Sequence, residues 1–229
     1  MTLKAMYVLW RGAQAPAEKV EIELVERRAP KLVDLGASSL VVNFPRLPEA
    51  ARALPGEDGS QVAALVSARF PDENAARQAS EALRPESGAV AGYVVGEAVP
   101  LDYDRRSWPD GAATPGIKQV TLLRRKPGLA YDDFLRSWHD VHTPLALRTH
   151  PLWAYNRNVV ERPLGSGMPD YDGIVELMFR SVEDLTEPAR FFGSQEGMRA
   201  ILHDVRGWLD LERIEYYPMQ EFMLGGAEN

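Results

Sequence analysis

The chain repeats itself at one fixed spacing. Lys4 and Lys118 stand 114 positions apart, and the same interval separates Leu9 from Leu123, Arg11 from Arg125, Leu24 from Trp138 and Pro30 from Pro144. One register runs through an apolar segment, a connection and a helical segment, and it brings a mid-helix proline both times. That is the mark of a tandem duplication. The fold must therefore be one that two copies of a single unit can build together.

The order of elements in each copy follows from periodicity and breakers. In the first, Leu3 to Arg11 reads as a strand. Ala17 to Leu35 reads as a helix with Val20, Leu24, Leu32 and Leu35 on one face, stopped at Gly36. Ser39 to Phe44 is a strand, Pro45 to Ser60 a proline- and glycine-marked loop, and Gln61 to Phe70 a third strand. Asp72 caps a helix to Leu83, and Val90 to Tyr103 is a fourth strand with a possible break at Gly96. Residues 104–116 read as a linker. The second copy runs through a strand at Ile117 to Lys126, a helix at Tyr131 to Thr149, and strands at Trp153 to Val160 and Gly173 to Arg180. Helical material follows from Ser181, broken near Pro188 and Gly193 and restarted at Ser194. A last strand spans Glu212 to Leu224, and residues 225–229 form a loose tail. This is βαββαβ twice, with halves at 1–103 and 117–224. The predicted class is α+β: two tandem ferredoxin-like units. Each sheet carries helices on one face only. The two bare faces are expected to pack sheet to sheet, about 10 Å apart. Each helix pair can then enclose a pocket against the outside of its own sheet.

The second-copy helix carries the best chemical lead. Tyr131, Phe134, Leu135, Trp138, Val141, His142 and Leu145 fall at steps of three and four, so they share one apolar face. An imidazole thus joins a core-facing stripe. Pro144, two residues on, removes a backbone donor and crowds the carbonyl of Asp140, so the helix should kink or loosen beside His142. The repeat interval places Arg28 where His142 stands. The first copy therefore keeps the scaffold and lacks the imidazole, which marks it as the degenerate half. The bland alternative for His142 is a hydrogen-bonded core histidine.

Composition matters mainly for what it removes. The formal net charge of -7, with no run of basic residues, argues against nucleic acid or an anionic membrane surface as partner. The absence of cysteine removes disulfides, thiolate metal sites and a cysteine nucleophile, and it fits a cytoplasmic setting. The N-terminal apolar run is short and lacks a cleavage site, so it reads as a strand. No segment approaches the roughly 20 apolar residues that span a bilayer. His139 and His142 have metal-ligand spacing on a helix but no third ligand, so no metal is expected. No phosphate loop or dinucleotide fingerprint is present, and Gly165-Ser166-Gly167 lacks the flanks of a nucleophile elbow.

Phe134-x-x-x-Trp138-x-x-x-His142-x-Pro144, then Tyr155 and Asn158, then Asp172-Gly173-Ile174-x-Glu176-Leu177, and finally Asp204-x-x-x-Trp208-x-Asp210 resemble the EthD family of dimeric α+β barrels. The resemblance covers Ile117 to Leu224. It implies a ferredoxin-like dimer, here fused into one chain, with a pocket between sheet and helices. Relatives in that superfamily include cofactor-free cyclases and dehydratases, small monooxygenases, muconolactone-type isomerases and, further out, haem-using barrels.

On these grounds the expected function is cofactor-independent chemistry on a small aromatic or polyketide-like substrate. His142 would serve as general acid/base in dehydration, cyclisation or isomerisation. The alternatives are a monooxygenase of the same fold, cofactor-free or haem-using, and a non-catalytic small-ligand-binding protein. The fused pair could associate further as a homodimer. Trp138 is read as a ring-stacking or core tryptophan. The resemblance points to both Tyr155, to bind a carbonyl, and Asn158, to orient an oxyanion, although a regular strand sends them to opposite faces. Glu176, a carboxylate within an apolar strand, is either a partner for His142 or a solvent-facing residue, and is read as the partner. Asp204 is read as a surface salt-bridge residue, His139 as exposed, and His150 as a cation at a helix end.

Overall fold

A computed structural model describes residues 2–12, 15–46 and 61–225. The first half contributes β1 (Leu3–Arg11), α1 (Ala17–Glu23), α2 (Ala29–Asp34), β2 (Ser38–Pro45), β3 (Gln61–Phe70), α3 (Glu73–Leu83) and β4 (Gly88–Leu101). The second contributes β5 (Ile117–Leu123), α4 (Tyr131–Arg136), α5 (Thr143–Thr149), β6 (Leu152–Pro163), β7 (Gly173–Phe179), α6 (Val182–Thr186), α7 (Pro188–Phe191), α8 (Gln195–Trp208) and β8 (Glu215–Met223). β4 runs through Gly96 without a break; its irregularities fall between Val94 and Val95 and between Ala98 and Leu101. Of the predicted loop from Pro45 to Ser60, Pro45 belongs to β2 and residues 47–60 lie outside the described residues, as do residues 226–229 of the predicted tail at 225–229. No helix among those described is long and apolar enough to cross a membrane.

The sheets do more than face each other. Strand order is β1-β3-β2-β8-β5-β7-β6-β4, closed into one antiparallel barrel. Each half supplies the ferredoxin-like order. The halves are joined at two seams, β2 with β8 and β4 with β6. Closure satisfies every edge strand that a lone four-stranded sheet would leave open. The segment between the halves is not slack, because Trp108 packs edge-on against Tyr103 at 5.2 Å between ring centroids.

Side chains alternate across the barrel wall. On β7, Val175 and Leu177 join the helix-side core with Phe134, Trp138 and Trp208, while Ile174 joins the barrel interior with Val120, Leu122 and Tyr217. The barrel interior is not uniformly apolar. Lys4 lies opposite Val95 and Lys118 opposite Met219, and two residues along from each of these partners comes a glutamate, Glu97 and Glu221. Across the seams Glu97 faces Asn158 and Glu221 faces Asn43. The duplication has therefore written a Lys-Glu-Asn set into the barrel twice. The copies differ in what surrounds the set, and one difference is that Glu176 stands where the first half has Ser67.

Both long helices loosen where the prolines required it, through the same device. Leu24–Arg28 and Ser137–His142 are π-helical turns. The N–H of Ala29 donates to Leu24 O and that of Thr143 to Trp138 O, five residues back in each case. The extra residue lets the chain pass the proline that cannot donate. It also moves the buried face, which corrects the predicted stripe. Beyond Trp138 the inward positions become Thr143 and Ala146, and Val141 is turned out at 54% exposure.

Candidate functional site

Between the outer wall of the second sheet and its helices lies a cavity of about 320 Å³, lined by Thr121, Leu123, Val175 and Leu177 from the sheet and by Trp138, His142, His150, Ile201, Val205 and Trp208 from the helices. The α6–α7 segment closes one side with Leu185 and Phe191. This size and largely apolar character suit a small flat ligand.

His142 sits at the edge of the shifted helical face, with its side chain 16% exposed. Its Nδ1 lies 2.7 Å from Asp204 Oδ2. The same oxygen accepts from Trp208 Nε1 at 3.3 Å, so the carboxylate is held from two sides. Asp204 comes from α8, whose start is fixed by Ser194 Oγ accepting from Gly197 N at 3.0 Å. Among the described residues Nε2 of His142 has no partner. The reading of Asp204 as a surface salt bridge is therefore corrected. Helical periodicity alone could not show that α8 crosses the π turn so as to bring the two side chains together. In the first half Arg28 occupies the matching position and bonds the carbonyls at the end of α3, Ala82 O at 3.4 Å and Arg84 O, together with Glu23 at 3.2 Å.

Trp138 is fully buried and forms the floor of the cavity beside Trp208, their rings 6.3 Å apart and nearly parallel. Its six-membered ring lies over Gly173, where an added Cβ would meet Cζ3 at 2.5 Å. That is why β7 begins on glycine. Gly173→Ala is expected to push Trp138 into a core with no room to receive it. The cost should be about 1–3 kcal/mol in denaturant unfolding, with the cavity deformed. A variant as stable as the parent would show that the tryptophan is less tightly held than its burial implies.

The other residues picked from sequence lie elsewhere. Tyr155 is on the helix side of β6 but its hydroxyl is taken up by Trp138 Nε1 at 3.3 Å and Thr143 Oγ1 at 3.4 Å, outside the His142 cavity. Burial pushes its phenol above the ordinary value. Asn158 faces the barrel interior, where its Oδ1 accepts from Lys4 at 2.9 Å and its Nδ2 donates to Glu176 at 3.0 Å. The alternation of a regular strand thus prevailed, and no bulge reunites Tyr155 with Asn158. Glu176 is not the partner of His142. It points inward on β7 and accepts from Lys118 Nζ at 2.8 Å, with Lys4 at 3.8 Å. Burial opposes its charge, but the two ammonium groups outweigh this and hold its carboxyl at about 2.

The remaining histidines also depart from expectation. His139 is half-buried against the Trp138 ring, and burial beside Arg157 lowers its pKa. His150 is buried, not an exposed helix-end cation. The chain turns extended there ahead of Pro151, which drives the imidazole inward against Phe191, ring centroids 4.2 Å apart. Its Nδ1 lies 2.7 Å from Phe191 O. Desolvation keeps its pKa below the usual histidine value, only partly offset by that carbonyl. Among the described residues no group of three or more His, Asp or Glu is placed to hold a metal ion.

Residues 126–212 match the EthD domain family, a span that contains the π turn, the cavity helices and both members of the His142–Asp204 pair. No curated protein matches the chain significantly. Among solved structures, an anthrone oxidase-like protein superposes with a TM-score of 0.63 at 13% identity, covering 98% of this chain and 94% of that one. A Fusobacterium nucleatum protein with a provisional monooxygenase name gives 0.55 at 9% identity, covering 98% and 96%. A chlorite dismutase variant from Candidatus Nitrospira defluvii gives 0.51 at 13%, covering 97% and 91%. Identities this low establish the shared barrel fold and nothing finer.

Proposed function

We propose that the cavity of the second half, where residues 126–212 match the EthD domain family, takes a small flat aromatic or polyketide-like molecule on which His142 acts as a general base. The observation that carries this is the 2.7 Å contact of Nδ1 with Asp204 in an otherwise apolar cavity. A carboxylate at Nδ1 keeps the proton there, so the neutral ring presents the Nε2 lone pair. Nε2 then removes a hydrogen from carbon beside a carbonyl. The C–H electron pair moves into the conjugated system as an enolate, and Asp204 stabilises the imidazolium that results. Return of that proton to another carbon is isomerisation. Its delivery to a departing hydroxyl is dehydration, and addition of the enolate carbon to a second carbonyl of the same molecule is cyclisation. All three keep the electrons within the substrate, so the acid/base pair is sufficient for each.

The first half-reaction can be tested without knowing the natural substrate. 2-Tetralone and anthrone both have acidic benzylic methylene hydrogens whose loss gives an enolate conjugated with an aromatic ring. Incubated in D2O under nitrogen, their methylene signals should disappear from the proton NMR spectrum faster with the protein than with buffer. His142→Gln should return the rate to that of buffer. Equal rates for the parent and His142→Gln would remove His142 from the chemistry. A Soret band in the purified protein would instead support the haem-using oxygenase alternative.

A further inference from the structure

The cavity contains a second imidazole whose chemistry the proton transfer does not use. His150 lines it together with His142. Its Nδ1 faces the carbonyl oxygen of Phe191, and a carbonyl can only accept, so the proton of the neutral ring must sit on Nδ1. Burial and the packing of Phe191 and Phe192 around the ring favour that neutral form. Nε2 is then an acceptor, and it has no partner among the described residues. The two histidines are eight positions apart along α5, which is about 12 Å of helix. The cavity therefore presents an acceptor from each of two histidines, with apolar walls around them, against the tryptophan floor.

We infer that His150 is a substrate-positioning residue, and that the ligand is an elongated flat molecule with its acidic hydrogen at the His142 end and a hydroxyl donor at the His150 end. This rests on the reading of the cavity proposed above. An apolar cavity that buries an acceptor pays for it unless the ligand brings a donor, so His150 should discriminate between ligands of equal size with and without that hydroxyl.

Two probes isolate the contact: 2,6-dihydroxynaphthalene, and 6-methoxy-2-naphthol, which keeps the shape and loses one donor. Quenching of Trp138 and Trp208 fluorescence reports binding. The parent protein should bind the dihydroxy probe about ten-fold more tightly, the value of one neutral hydrogen bond. His150→Asn keeps a donor where Nδ1 bonds Phe191 O and removes the Nε2 acceptor. In it the preference should fall to about one-fold while the melting temperature holds. His150→Phe keeps the ring packing and removes both nitrogens, so it supplies the same comparison should the Asn variant fail to fold. A ten-fold preference that survives in a folded variant would overturn the role of His150 and leave the cavity reading intact. Failure of both probes to bind the parent protein would overturn the cavity reading itself.

Discussion

Asp204→Asn should slow methylene exchange of 2-tetralone by roughly 10²- to 10⁴-fold, the range lost when a general base is disabled or its orienting carboxylate neutralised. The fold should survive the change. The amide is isosteric, and its oxygen can still accept from Trp208 Nε1, which lies 3.3 Å from the carboxylate now. What disappears is the negative charge 2.7 Å from Nδ1 that stabilises the imidazolium. Binding of 6-methoxy-2-naphthol should therefore change little while the exchange rate collapses, a split that a purely structural carboxylate would not give. Should Asp204→Asn exchange at the parent rate, His142 works without a partner and the pair is only a helix-to-helix contact.

Lys118→Met should cost about 3–5 kcal/mol in urea unfolding, the penalty for leaving buried carboxylate without its cation. Lys118 is buried at the barrel's polar end, paired with Glu176 at 2.8 Å and with Glu221. Glu221 has further donors in Tyr103 at 3.0 Å and Thr114 at 2.9 Å, but these are neutral. Lys4 remains 3.8 Å from Glu176 and is already held by Glu97 at 2.6 Å. Adding Glu176→Gln to Lys118→Met should recover part of the loss, because it removes one of the stranded charges, and the double-mutant cycle measures the coupling. A loss under about 1 kcal/mol for Lys118→Met alone would mean that water reaches these groups and the interior is not as dry as the packing implies.

The same network sets an acid limit. The native Glu176 carboxyl is held at about 2, below its ordinary value of 4.5. Its ionised form is thus favoured by folding. That stability is fully present above the unfolded value and is lost as the pH falls from about 4.5 toward 2. Glu176→Gln should flatten the drop in melting temperature across that interval. An unchanged acid profile would show that Glu176 does not set the drop.

How much of this could be read from residues alone differs by element. Lys4 with Lys118, and Pro30 with Pro144, already disclosed two copies of one unit, and a local rule gave the loosened helix: a residue without an N–H cannot continue the ladder. The form of that loosening was not local. The π turn inserts one residue, so the face that buries Phe134 and Trp138 continues through Thr143 and Ala146 and turns Val141 outward. Alternation on β7 already opposed Glu176 to Val175 and Leu177, and hence to the helices that carry His142. What the strand pattern lacked was the inward cations: Lys118 and Lys4, from another strand and the other half, give the carboxylate its place inside the barrel.

The duplicated βαββαβ order, the weak points of both helices and an imidazole on the apolar face of the second-copy helix follow from the residues, because each depends on neighbours within a few positions or on comparing one half with the other. Packing settles which carboxylate meets that imidazole, that a second histidine is turned into the same cavity, and that Lys118 and Glu176 neutralise each other inside the barrel. Those pairings join residues 62, 8 and 58 positions apart. They are set by how α8 crosses the π turn, by where the chain bends ahead of Pro151 and by how β5 registers against β7, and no periodicity along the chain encodes such angles.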